Sequence, residues 1–108
     1  MSGSILFLYG PPGSGKSTIG QLLARDLSLE FLDLDSEIEK EAGKTVSEVF
    51  ASEGETGFRR RESDMLKKLS GRVSSVIALG GGTLLADDNR RLTEVSGQVV
   101  VLDAPLQT

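Results

Sequence analysis

The chain has 108 residues, 38% hydrophobic and 26% charged, with a formal net charge of −4, which suits one soluble domain and is too short for two of ordinary size. Its acidic balance, without a basic stripe or aromatic platforms, argues against a nucleic-acid partner, and no apolar run approaches a membrane span. Cysteine and histidine are both absent, so disulfides, thiolate or histidine metal sites and a Ser-His-Asp mechanism are excluded, and acid–base work falls to carboxylates.

Ser4–Tyr9 reads as a short buried parallel strand that leads directly into the following loop. Gly10-Pro11-Pro12-Gly13-Ser14-Gly15-Lys16-Ser17-Thr18 has two glycines flanking four residues before Lys-Ser, the P-loop pattern. The glycines let the backbone curl so that successive N–H groups form an anion nest, with the positive end of the next helix behind it. A nucleoside triphosphate such as ATP fits this arrangement. Gly13, Ser14 and Gly15 would hold phosphate, and Lys16 would reach the β- and γ-phosphates. Ser17 would take one position on Mg²⁺, with Thr18 supporting the loop. Ile19, Leu22, Leu23 and Leu27 recur at helical spacing and predict the apolar face of the first helix.

Glu30–Asp35 reads as a second strand. In open α/β sheets the ligand lies beyond the carboxyl ends of the strands, which puts Asp33 and Asp35 on the P-loop rim. Residues two apart on a strand share a face. Asp33 would then hold Mg²⁺, and Asp35 would accept a hydrogen bond from an acceptor hydroxyl. Asp35 also qualifies as N-cap of a helix over Ser36–Ala42 closed by Gly43, and the two roles are compatible. Thr45-Val46-Ser47-Glu48 is a capping box opening a short helix through Val49, Phe50 and Ala51, ended by Gly54. A further helix runs from Glu55 to Leu69, with Phe58, Met65, Leu66 and Leu69 on its apolar side and Gly71 closing it. Arg59 and Glu62, three apart, can hold a guanidinium ready for a substrate carboxylate. The charges of Arg59, Arg60 and Arg61 alone favour a solvated helix face.

Ser75–Leu79 predicts a third strand, followed by Gly80-Gly81-Gly82. Three glycines are costly to order and suit a backbone that comes close to a ligand and offers its N–H groups, while a flexible connection remains the plainer reading. Asp87 opens a helix with acidic residues in its first turn, and Gly97 ends it. Gln98–Asp103 is the fourth strand, superficially a Walker-B pattern. Asp103 thus competes with Asp33 for Mg²⁺, but it is followed at once by Ala104-Pro105 and has no second polar partner, so Asp33 is preferred. No repeat or linker divides residues 1–108, which read as one α/β kinase core.

The Gly-x-x-Gly-x-Gly-Lys-Ser-Thr loop, the Asp33-Leu34-Asp35 pair, Gly54-Glu55-x-x-Phe58-Arg59-x-x-Glu62 and Ala78-Leu79-Gly80-Gly81-Gly82 together resemble the shikimate kinase family, in order and over nearly the whole chain. The resemblance implies a P-loop fold of the nucleoside-monophosphate-kinase type, with a parallel sheet and flanking helices. It also implies cytoplasmic, Mg²⁺-dependent transfer of the ATP γ-phosphate to the 3-hydroxyl of shikimate, in aromatic amino acid biosynthesis. Lys16, Asp35 and Arg59 are implied as catalytic residues, and Gly13, Ser14, Gly15, Lys16, Ser17 and Thr18 as nucleotide binders. Ser17 and Asp33 lie at the metal, while Asp35, Phe58, Arg59, Gly80, Gly81 and Gly82 surround shikimate. Phe50 packs beside the ring and Glu62 orients Arg59.

The family continues beyond its fourth strand with a lid arginine, another carboxylate-binding arginine, a fifth strand and a C-terminal helix. None follows Thr108, so the sequence reads as an N-terminal portion. On its own it is expected to be severely impaired and to self-associate through an uncovered sheet face, whereas full-length members are expected to be monomers. Two other readings stand beside this one: a catalytically silent nucleotide-binding module, and a kinase for another acceptor such as gluconate. The Arg59–Glu62 pair and the three glycines suit a small carboxylated polyol better than a base.

Overall fold

The computed structural model describes residues 5–10, 15–71 and 74–102. The four apolar runs become four strands of one sheet, β1 (Ile5–Tyr9), β2 (Glu30–Asp33), β3 (Ser75–Ala78) and β4 (Gln98–Val101), in the order β2-β3-β1-β4. Every pairing is parallel, because each strand is reached through a helical crossover rather than a hairpin. The helices are α1 (Lys16–Leu27), α2 (Leu34–Ala42), α3 (Val46–Ser70) and α4 (Asp87–Ser96), with a 3₁₀ turn at Thr83–Leu85. No described helix is long and apolar enough to cross a membrane.

Register places Leu32, Ile77, Phe7 and Val99 in one row across the sheet. Alternation then divides the core in two. Ile5, Phe7, Leu32, Ile77 and Leu79 pack against Ile38 of α2 and against Val49, Phe58, Met65, Leu66 and Leu69 of α3. Leu8 and Val76 point the other way, to Ala24 of α1 with Leu6, Leu23 and Phe31 around them. Each fully buried Leu, Ile or Phe stabilises the fold by roughly 1.5–3 kcal/mol relative to exposure.

The face of α1 differs from its predicted stripe. Leu22 is 46% and Leu27 52% exposed, while Gly20 and Ala24 are buried. A Cβ at residue 20 would run into the Phe31 ring, so the helix rests on the sheet through Gly20 and Ala24, with Leu23 of the expected stripe beside them and Leu22 and Leu27 turned outward.

Strand β2 stops at Asp33, not Asp35. Asp33 is extended (φ −106°, ψ 121°) and its Oδ1 accepts from the Ser36 backbone N–H at 3.0 Å, so Asp33 is the N-cap and the helix begins at Leu34. Asp35 is therefore neither on the strand nor the cap: it stands in the first helical turn, and the two carboxylates do not share a strand face. Gly43 closes α2 in the left-handed region, φ 69°.

The capping box is present, with the Glu48 N–H donating to Thr45 Oγ1 at 3.1 Å and the Thr45 N–H to Glu48 Oε1 at 2.8 Å. The two predicted helices lie end to end within α3, broken at Gly54, whose φ 74° and ψ 179° are essentially glycine-only. Arg61 bridges the break with a two-pronged pair of 2.8 Å bonds to Glu53. Gly71 ends the helix in a right-handed conformation, so no left-handed closure is used there. Leu79 leaves β3 yet still donates to Leu8 O at 2.9 Å, and Leu102 continues from β4 by donating to Tyr9 O at 2.8 Å. Asp103 lies outside the described residues.

Candidate active site

The carboxyl ends of β1, β2 and β3 deliver the site residues to one rim. Gly13 and Ser14 lie outside the described residues, but both flanks of their loop are described. Gly15 takes the left-handed conformation (φ 84°, ψ 19°) that turns the chain into α1. Among the described residues no side chain caps α1 and no acidic residue occupies its first turn, in contrast to α2 and α3, which carry side-chain caps. A helix start without a side-chain cap or an acidic first turn keeps its positive end available to an anion. Lys16 donates from Nζ to Gly10 O at 2.6 Å, folding back across the loop mouth. Ser17 and Thr18 are exposed in the same turn.

Asp35 Oδ1 is buried and has no hydrogen-bond partner among the described residues. Burial pushes its carboxyl above the usual carboxylate range, reinforced by the charges of Asp33, Glu62 and Glu39 and opposed by Lys16. Asp35 is therefore electrostatically coupled to both the loop lysine and the α3 acid.

Arg59 donates from Nη1 to Glu62 Oε1 at 3.0 Å, with Glu55 Oε2 3.8 Å from Nη2. Its guanidinium carbon is 5.4 Å from the centre of the Phe58 ring, which stacks on Phe50 with centroids 4.7 Å apart. Arg59 keeps a side chain that is 38% exposed, but it is paired with Glu62, which is only 1% exposed. Its second oxygen, Oε2, accepts from Thr83 Oγ1 at 2.8 Å.

The three glycines have separate physical roles. A Cβ on Gly80 would lie 3.3 Å from Asp35 Oδ1 and 3.6 Å from Glu62 Oε2, and one on Gly82 would lie 2.6 Å from Arg59 Nη2. Their bare backbone is what lets Asp35 and Arg59 close on this segment. A Cβ on Gly81 would meet nothing within 4 Å, and the Gly81 carbonyl accepts from the Tyr9 hydroxyl at 2.8 Å. Thr83, Asn89 and Tyr9 carry no sequence signal: Tyr9 and Gly81 are 72 residues apart and Glu62 and Thr83 are 21 apart.

No group of three or more carboxylates that would hold a metal exists among the described residues. Ser17 and Asp33 offer hard oxygen ligands, too few for a closed cage and suited to an ion that keeps its bonds to phosphate and water. A surface hollow of about 480 Å³ between α2 and the start of α3, lined by Ser36, Lys40, Lys44 and Glu48 among others, shares none of the site residues above.

A parallel sheet in this order, with a glycine loop between its first strand and first helix, defines a P-loop protein of the nucleoside-monophosphate-kinase type. The shikimate kinase family model matches residues 12–108, and the chain belongs to that family. It is 49% identical over 102 residues to a shikimate kinase of Methylococcus capsulatus, covering 94% of this chain and 57% of that relative. The structure of shikimate kinase from Acinetobacter baumannii in complex with shikimate superposes with a TM-score of 0.92 at 44% identity, covering 95% of this chain and 57% of that one. Shikimate kinase from Aquifex aeolicus gives 0.89 at 36% identity, over 94% of this chain and 61% of that one. The chain thus spans a little over half the length of these relatives.

Proposed function

We propose that this chain forms the nucleotide- and acceptor-binding part of a shikimate kinase, which moves the γ-phosphoryl group of ATP to the 3-hydroxyl of shikimate. The observation that supports this most is the convergence of Asp35, Glu62 and Arg59 on the bare backbone of Gly80–Gly82, with Lys16 near enough to act on the Asp35 carboxyl.

ATP would supply the phosphoryl group, and Ser17 and Asp33 would hold a magnesium ion, whose charge would offset that of the phosphates when bound. Gly13, Ser14, Gly15 and the first N–H groups of α1, with Thr18 in the same turn, cradle the phosphates. Lys16 exchanges its bond to Gly10 O for the β- and γ-phosphate oxygens and stabilises the charge there. Asp35 binds shikimate hydroxyls and takes the proton that the 3-hydroxyl oxygen releases as it attacks phosphorus. A carboxyl raised by burial is a better proton acceptor than a solvated one. Arg59, aimed by Glu62, binds the shikimate carboxylate through two parallel N–H bonds. Phe58, with Phe50 stacked on it, flanks the ring, and Gly80, Gly81 and Gly82 let the backbone line the pocket. Use of ATP makes the cytoplasm the expected compartment.

Calorimetric titration of this chain with ATP and with shikimate, beside a coupled ADP-release assay with shikimate and gluconate as acceptors, tests the reading. Shikimate binding that Arg59→Ala abolishes is the expected result. Binding of ATP without any binding of shikimate would select the silent nucleotide-binding module, and turnover of gluconate alone would select the other acceptor.

A further inference from the structure

The buried carboxylate of Glu62 requires a partner on each oxygen, because an ionised group taken out of water is stable only when paired and hydrogen-bonded. Oε1 is matched by Arg59 at 3.0 Å and Oε2 by the Thr83 hydroxyl at 2.8 Å. Thr83 is fully buried and sits in the 3₁₀ turn directly after the glycines. Its N–H donates to Gly80 O at 3.3 Å, the Leu85 N–H donates to Gly82 O at 3.1 Å, and its own carbonyl accepts from Asn89 Nδ2 at 3.0 Å. Asn89 is itself buried in the first turns of α4. A continuous series of bonds therefore runs from α4 through the turn to Glu62 and ends on the Arg59 guanidinium.

We infer that Thr83, held by Asn89, is a positioning residue of the acceptor site: its hydroxyl fixes the Glu62 carboxylate, which in turn aims Arg59. Among the described residues the other neighbours of Arg59 are the Phe58 ring, the Gly82 backbone and the 74% exposed Glu55 at 3.8 Å, none of them a hydrogen-bond partner as Glu62 is. Removal of the hydroxyl leaves Oε2 without its donor, and the carboxylate turns to recover one, drawing Oε1 away from Arg59. The consequence for affinity rests on the proposed binding of shikimate by Arg59; the effect on Arg59 itself does not.

The test is Thr83→Val, with Thr83→Ser as the rescue, in the full chain with arginine labelled in nitrogen-15. The Arg59 guanidinium N–H signals, identified by their loss in Arg59→Lys, are expected to be slowed in rotation in the parent, averaged in Thr83→Val and restored in Thr83→Ser. Shikimate affinity is expected to fall about tenfold in Thr83→Val and to recover to within about twofold in Thr83→Ser, with ATP affinity unchanged in both. Should the valine variant not fold, Thr83→Ala, which adds no atom to the site, carries the same expectation. Unchanged guanidinium signals in the variant lacking the hydroxyl would overturn the inference. If the parent binds no shikimate, the proposed function fails while the guanidinium signals still decide the role of Thr83.

Discussion

Arg59 lies flat against Gly82, so close that a Cβ on residue 82 would come within 2.6 to 2.9 Å of three guanidinium atoms. The glycine is required by this neighbour and not by its own backbone, since its φ of −106° and ψ of 2° suit other residues. The contact is with the far end of a long side chain, which can swing away. Gly82→Ala is therefore expected to keep the fold, with stability changed by less than about 1 kcal/mol, while shikimate affinity falls at least about tenfold. Calorimetry beside thermal melting checks both, and an alanine variant with parental affinity would dissociate Arg59 from the acceptor.

Gly97 gives the opposite outcome. Its backbone is extended, so no left-handed strain applies, but a Cβ there would meet the Ile5 carbonyl oxygen, which is backbone of the strand β1 region. Nothing there can swing aside. Gly97→Ala is expected to destabilise the chain by about 3 kcal/mol, read as a lower denaturant midpoint; a midpoint equal to the parent would refute the close approach of Gly97 to the Ile5 backbone.

Asp35 sets function against stability. Its folded-state carboxyl is raised above its ordinary value, chiefly by burial, so between the unfolded value of about 3.9 and the folded one the native state binds more protons than the unfolded state. Stability then falls as pH rises through that window and stays lower above it. Asp35→Asn is expected to melt above the parent at neutral pH and to lose this advantage below pH about 4. In a protein that also carries the remaining segments of the family, the same substitution is expected to cost about 10²–10⁴ in shikimate-dependent turnover. Melting curves that do not separate at neutral pH would show that the carboxylate is not strained by its site.

Gly54 turns the second half of α3, and with it Phe58, Arg59 and Glu62, into the site. Its conformation is closed to alanine, although nothing would obstruct the methyl group. Gly54→Ala is expected to cost about 1–3 kcal/mol and to weaken shikimate binding more than ATP binding. Equal losses for the two ligands would mean that the break does not orient Arg59.

Features that depend on a few consecutive residues were legible in the chain. The P-loop spacing, the apolar runs of the strands, the Thr45–Glu48 capping box, the Gly54 break, and Arg59 and Glu62 three apart on one helix all follow from local geometry, because turn chemistry and helical period act within about one turn. Tertiary structure decided the rest. Which of Asp33 and Asp35 would cap α2 depended on where β2 stopped pairing with β3, and that choice moved Asp35 from the strand into the helix. The face of α1 was set by how closely Gly20 could approach Phe31, which kept Leu23 on the sheet and turned Leu22 and Leu27 outward. Thr83 and Asn89 gained their contacts only once β3 and α4 were packed beside α3. Burial removes water as the alternative partner, so a carboxylate such as Glu62 takes its second bond from whatever the fold brings near, and no spacing along the chain records that choice.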